Sequence, residues 1–526
     1  MNLDYYGLGI FLLAIVVASV GLFTYFSLDD YIYLHRAEDH TSSLGQVFAP
    51  FYTFSPWLSY RPLPTMFWVV LFGIFGPAPL PLSIGVILLF SGMVFYIYRI
   101  GTLLGGRMAG LISGALVALY FPIYSVAWSR WSSSLQMELL FLASSAFYLA
   151  RWAKHQLGEG NKAGLPTLGI VLMVGAFLSK ETSFMLPMLL PLLVPKKRVF
   201  KLAASLFTSG VAIFVISRAL IPSKFPLPKP RFDISVILRN LEFFTREQFL
   251  FYLPATLILV AALAWGKKNR HIFLLAAMGL FLGMNAILGH SPATHRIKLA
   301  VCSLAVIYCV IKASARVRFA LGWAALLLLP PLLVLDTTVH QSAESFLGLA
   351  LFIGMGVSRQ LRLAYRLSKR WFRGFTVAGV AAQFAGNSLR ILRIAGAIAC
   401  IPFLLYAAFT VLKLNVRVAI PEATKMVQAS RLTRDVREYL CAGFPAPATI
   451  HSTNLPGLIS VPDIPFDARL HGCNLIVDED LSAREGVFVI TSDTPKEIVD
   501  EVGSKGQLMR RIVRTPYEVT VFSSAR

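Results

Sequence analysis

The chain has 526 residues, 56% of them hydrophobic and only 14% charged, with a mean hydropathy of +0.66. Stretches of about 20 apolar residues recur almost from end to end, which excludes an ordinary soluble globule and points to a multi-pass membrane protein. The formal charge of +22 would suit a nucleic-acid binder, but the Lys and Arg residues fall in short clusters between apolar runs. Membrane topology explains that pattern, and nucleic acid is not an expected partner.

The first apolar run, residues 8–27, has no basic leader and no small-residue cleavage site, so it reads as a retained helix. It runs out into "YFSLDDYIYLHRAEDH", where Asp29 and Asp30 stand side by side. Taken alone, the pair is a helix N-cap, its carboxylates accepting orphan backbone N–H groups. A long outer loop then extends to about residue 81. Within it, residues 63–75 are bracketed by Pro62, Pro64, Pro77, Pro79 and Pro81. That piece is too short to span and reads as a juxtamembrane or re-entrant helix.

Clusters at Arg99/Arg107, Arg151/Lys154/Lys162, Lys196/Lys197/Arg198/Lys201, Lys267/Lys268/Arg270, Lys312/Arg316/Arg318 and from Arg359 to Arg373 mark cytoplasmic loops. An even number of crossings must separate neighbouring clusters. Residues 165–194 as one helix would measure about 45 Å, against a hydrocarbon core of about 30 Å. Parity makes that stretch a hairpin turning at Lys180–Glu181, with both side chains at the outer surface. The count is then about thirteen spans with the N-terminus inside. They lie near 8–27, 82–98, 108–127, 135–150, 166–178, 183–194, 202–220, 250–266, 272–288, 298–312, 319–335, 345–357 and 393–412. Residues 374–392 read as an amphipathic helix on the inner surface.

After residue 415 the character changes. "ATKMVQASRLTRDVREYL" and "PKEIVDEVGSKG" read as helices, "LIVDED" and "VFVITSDT" as buried strands. The expected architecture is an all-α polytopic membrane bundle over 1–414 and a small extracytoplasmic α/β domain over 415–526. Of five cysteines, Cys441 and Cys473 lie in this tail and can pair if it faces an oxidising compartment.

On this topology the unusual polar residues gather outside: Asp29, Asp30 and Arg61 in the first loop, Arg130, Lys180 with Glu181, and His290, His295, Arg296 and Lys298 in "GHSPATHRIK". Cations on the outer face despite the positive-inside bias imply an anionic partner there, and a phosphate at the bilayer surface fits. A carboxylate beside it would take a proton from an incoming hydroxyl, with one Asp acting and its neighbour positioning. The pattern describes glycosyl transfer from a polyprenyl-phosphate sugar. Arg130 and Glu138 read more simply as a solvated loop residue and a helix-facing partner. His35 and His40 beside Glu38 and Asp39 raise a divalent cation, but their spacing does not share one helix face cleanly.

"SLDDYIYL", "YRPLPTMFW", "GALVALYFPIYSVAWSRWSSSLQMELLFL" and "VGAFLSKETSFMLPMLLPLL", in that order, resemble the C-type superfamily of integral membrane glycosyltransferases, and within it the protein O-mannosyltransferase-like branch. The resemblance covers roughly residues 8–220, with a weaker echo in "PATHRIK". It implies Asp29 as general base supported by Asp30, and Lys180, Arg61, Arg296 and His295 at the lipid phosphate, with Glu181 and Arg130 in support. It also implies an inverting displacement with no required cofactor or metal. The donor would be an undecaprenyl- or dolichyl-phosphate sugar in the cell membrane, and the acceptor a protein, lipid or polysaccharide outside it. No tetratricopeptide array follows the membrane region, so the acceptor does not carry over from that branch. The rival reading is a transporter or flippase for an anionic lipid or solute, which predicts repeated halves and mid-bilayer charges. The chain has no internal repeat.

Overall fold

A computed structural model describes residues 4–24, 26, 28–41, 44–53, 60–158, 164–220, 233–244, 314–332, 343–373, 415–443, 448–452, 473, 475–478, 487–491, 496–505, 507–514 and 517–523. The spans expected at 250–312 and 393–412, and the surface helix expected at 374–392, lie outside them. Helices dominate: α1 (Tyr5–Ala18), α2 (Leu28–Asp39), α3 (Pro62–Phe75), α4 (Pro79–Gly105), α5 (Arg107–Leu119), α6 (Phe121–Tyr124), α7 (Ser133–Gly158), α8 (Thr167–Ser179), α9 (Leu190–Leu193), α10 (Lys197–Leu220) and α11 (Ile234–Phe244). After these come α12 (Ala315–Leu326), α13 (Leu329–Leu332), α14 (Ala343–Arg373) and, in the tail, α15 (Ile420–Gly443) and α16 (Lys496–Lys505).

Among the described residues, Tyr5–Phe23, Pro79–Gly105, Lys197–Ile216 and Ala315–Leu332 are long and apolar enough to cross a membrane. The protein is an integral membrane protein. Several boundaries differ from expectation, each for a local reason. The helix expected over 108–127 stops at Leu119: Tyr120 is extended, Pro122 has no N–H to continue the α-type ladder back to Ala118, and short helical turns follow. The hairpin at 165–194 has its break at Lys180, which is extended (φ −162°, ψ 141°). Its second arm is mostly 3₁₀, Glu181–Leu189, because Pro187 cannot donate an α-type bond. Two helix ends need a left-handed residue, and both use glycine: Gly76 (φ +65°) after α3 and Gly106 (φ +89°) after α4.

Contacts divide the chain into two compact units. The first contains residues 1–14, 90–124 and 138–414. Its helices meet through small side chains, the usual solution where lipid removes any hydrophobic drive between helices. A Cβ on Gly348 of α14 would lie 2.5 Å from the backbone nitrogen of Ala324 and 2.7 Å from the carbonyl oxygen of Ala320, both on α12. One on Gly101 of α4 would lie 2.8 Å from the Cα of Gly110 on α5. Stacked Tyr120 and Phe346, 3.9 Å between centroids, fill the space where the glycine contacts end.

The second unit contains residues 15–89, 125–137 and 415–526. Its tail carries a five-stranded mixed sheet, ordered β2 (Leu475–Asp478), β1 (Ala448–Ser452), β3 (Val487–Thr491), β5 (Tyr517–Ser523), β4 (Gln507–Arg514). β1 pairs parallel with β2 and β3, while β5 pairs antiparallel with β3 and β4. Alternation along β3 separates the faces: Phe488 and Ile490 pack with Val502 of α16, whereas Val487 and Val489 join the core under α15. α15 contributes Leu432, Val436 and Leu440, one stripe at helical spacing. That core also holds Phe26, Tyr31, Leu34 and Trp68 from the segment between α1 and α4. Cys441 and Cys473 form a disulfide, with Cα atoms 5.6 Å apart.

Replacing Gly348 by Ala forces α14 off α12 and costs about 1–3 kcal/mol. The thermal midpoint in detergent falls for G348A, and stays put for G9A, where nothing lies within 4 Å of the added methyl.

Candidate functional site

Each unit buries an ionic centre. In the second unit α2 begins at Leu28, so Asp29 and Asp30 occupy its first turn, and the Asp30 carboxylate lies at the positive end of the helix dipole. Asp30 is fully buried. Its Oδ2 lies 4.0 Å from Nη1 of Arg130, itself 1% exposed. Arg130 is thus no solvated loop residue. Its Nε donates to the Pro79 carbonyl at 3.0 Å, Nη2 donates to the carbonyls of Thr24 and, at 3.5 Å, Gly21, and the guanidinium lies 5.3 Å from the Phe26 ring. A planar fork serves these directions at once, and a lysine would not. Gly21 permits the approach: a Cβ there would meet the Ala127 carbonyl oxygen at 3.0 Å. Asp29 is thus the second residue of a helix whose third residue, Asp30, is paired with a buried cation. Trp68 closes the same loop, stacking on Tyr33 at 5.4 Å and donating from Nε1 to Ser133 at 2.9 Å. Arg61 stands at the N-terminal boundary of α3, where its carbonyl accepts the Thr65 hydroxyl at 3.0 Å.

At the far end of α2, His40 faces one cation and a hydroxyl. Its Nε2 lies 3.3 Å from Arg36 Nη1 and 3.4 Å from Thr53 Oγ1. Among the described residues no group of three His, Cys, Asp or Glu side chains could hold a metal. Burial first, then the Arg36 charge, pushes His40 below its usual 6.5, with Asp39 opposing. The folded protein thus keeps this ring neutral where the unfolded chain takes up a proton. Stability from His40 is present above pH 6.5 and is lost as pH falls from there toward the lowered folded value. Thermal unfolding on either side of that pH checks this: H40Q shows a smaller loss on acidification than the parent.

The first unit holds the second centre. Lys180 follows the end of α8, Glu344 sits in the first turn of α14, and Glu138 lies in the second turn of α7. Helix dipoles favour a cation at the first position and acids at the other two. Lys180 Nζ is 2.6 Å from Glu344 Oε1 and 3.4 Å from Glu138 Oε2, and its side chain is only 17% exposed. The Thr182 hydroxyl lies 2.9 Å from Glu138 and 2.8 Å from Glu344. Trp323 Nε1 donates to the Glu344 backbone carbonyl at 3.0 Å, tying α12 to the cluster. The surface position expected for the Lys180 side chain is thereby corrected. Lys180 turns inward, and its described partners come from two other helices. Glu181 opens the following 3₁₀ turn. His295 and Arg296 lie outside the described residues.

Glu344 went unnoticed in the sequence although it is an acid at the mouth of an apolar run, itself a signal of function or pairing. Its separation of 164 residues from Lys180 hides the partnership. Removing the cation alone, K180M, leaves two buried carboxylates without compensation and costs about 3–5 kcal/mol. Unfolding in detergent measures the loss, and K180M/E344Q recovers part of it.

No family model and no curated protein matches the chain. Similar solved structures include ArnT from Cupriavidus metallidurans bound to undecaprenyl phosphate, at 13% identity, covering 98% of each chain with a TM-score of 0.43. Its apo state gives 13% identity, 98% and 97% coverage and a TM-score of 0.44. The Archaeoglobus fulgidus oligosaccharyltransferase tethered with an acceptor peptide gives 14% identity, covering 87% of this chain and 61% of that one, with a TM-score of 0.44. At TM-scores this low the likeness settles neither fold nor function.

Proposed function

We propose that the protein is a membrane glycosyltransferase of the C-type superfamily, moving a sugar from a polyprenyl-phosphate donor to an acceptor hydroxyl on the extracytoplasmic side. The observation that carries this reading is the buried Arg130–Asp30 pair. The pair holds the first turn of α2, the turn that contains Asp29, and this supports the reading of Asp29 as the general base that the motif resemblance implies. In the proposed step Asp29 takes the proton of the acceptor hydroxyl as its oxygen bonds to the anomeric carbon. The bond from that carbon to the phosphate oxygen breaks, and the lipid phosphate leaves with the electron pair. Arg61, Arg296 and His295 neutralise the leaving charge. Lys180 joins them under a condition set by geometry: it must leave one of its two carboxylates to meet a phosphate.

The Cys441–Cys473 disulfide supports the proposed sidedness, because such bonds persist in oxidising compartments. The tail shares a core with the first outer loop, which supports a role for it in shaping acceptor access. A transporter would not need the sequence Asp-Asp to begin a helix braced by a buried arginine.

D29N tests the reading in purified protein given radiolabelled polyprenyl-phosphate sugars. Sugar release falls by about 10²- to 10⁴-fold while donor binding persists. Undiminished release removes Asp29 from the mechanism, and directional uptake of solute without transfer selects the transporter.

A further inference from the structure

The first unit has a hollow of about 510 Å³ between α4 and α7, lined by Arg99, Thr102 and Leu103 from the former and Phe147, Arg151, Lys154 and His155 from the latter. Three of these seven, two arginines and a lysine, are basic and none is acidic. The positive charge extends beyond the lining. Three carbonyls at the C-terminal end of α4 are each taken by a cation from a different helix: Leu103 by Lys154 at 2.6 Å, Leu104 by Arg316 at 3.0 Å and Gly105 by Arg362 at 2.9 Å. The helix end carries roughly half a negative charge, so three cations overcompensate it. Burial, and then the nearness of Arg316, lowers the Lys154 pKa, as expected where like charges are crowded.

Arg99 is held over the Phe147 ring at 5.0 Å and the Phe95 ring at 5.7 Å, an apolar seat that fixes the guanidinium and leaves its edge N–H groups for an oxyanion. Arg151 is exposed at the rim. Thr102 adds a hydroxyl, while Leu103 and Phe147 present an apolar wall. One wall, α4, is long and apolar enough to cross the membrane. Along α7, His155 lies 17 residues beyond Glu138, a rise of about 25 Å and close to the thickness of a hydrocarbon core. The hollow and the Lys180 cluster therefore lie toward opposite ends of α7.

We propose that this hollow binds the headgroup phosphate of an anionic membrane lipid, with Arg99 and Arg151 as its principal contacts. The charge calls for a phosphate, the apolar wall and membrane-spanning helix for one attached to a lipid. The site is independent of the transfer reaction.

Native mass spectrometry of the full chain in detergent, titrated with phosphatidylglycerol or phosphatidylcholine, tests it. The parent retains phosphatidylglycerol at lower concentration than phosphatidylcholine, and millimolar inorganic phosphate does not displace it. R151Q binds about fivefold more weakly, and R99Q/R151Q about thirtyfold; R99K/R151K keeps most of the affinity. Because Arg151 is exposed, R151Q decides the matter even if the double variant fails to fold. Equal retention of the two lipids, parent-like binding by R151Q, or displacement by inorganic phosphate alone overturns the proposal.

Discussion

A single ammonium shared by two buried carboxylates organises the first unit. Lys180 closes α8, and its charge is answered by the opening turns of α7 and α14. Such a knot adds little net stability, because desolvation of three ionic groups offsets much of the attraction. Its effect is on arrangement. Any sliding of α14 along α7 separates Glu344 from Lys180, and an unpaired buried charge costs far more than lost packing. Glycine and alanine contacts between α12 and α14 allow helices to sit close. The ionic knot and the Trp323 bond fix which turns face each other.

The second unit uses a different device for the same end. Arg130 gathers carbonyls from the end of the first apolar run and the start of α4, and holds Asp30 in the first turn of α2. A loop of about fifty residues outside a membrane would ordinarily be mobile. Here a buried guanidinium, stacked aromatics and the tail helix α15 give it a core of its own.

Much of this was legible in sequence where local rules act alone. Pro62 opens α3 and Gly76 closes it; the helix break at Lys180 follows from length against bilayer thickness; the helices of the tail follow from periodicity. What could not be read there depended on distant partners. Arg130 looks solvated in "AWSRWSSS" because nothing nearby in sequence announces Asp30 or the Pro79 carbonyl. Lys180 has an obvious neighbour in Glu181, yet the carboxylates it meets, Glu138 and Glu344, lie 42 and 164 residues away. Strands β1, β4 and β5 escaped notice for a third reason. β4, "QLMRRIVR", carries arginines on an edge strand, where charge on the open side hides the alternation.

The aromatic residues of the first loop and the strands of the tail share one core, although about 420 and 450 residues separate Trp68 from Val487 and Val521 in the chain. Synthesis delivers the loop long before its covering. Until residues 429–521 have been made, Tyr31 and Trp68 wait with no permanent neighbours from the tail. Folding of the second unit thus closes an early segment under a late one, and a chain cut short at about residue 415 leaves the loop uncovered for aggregation or proteolysis.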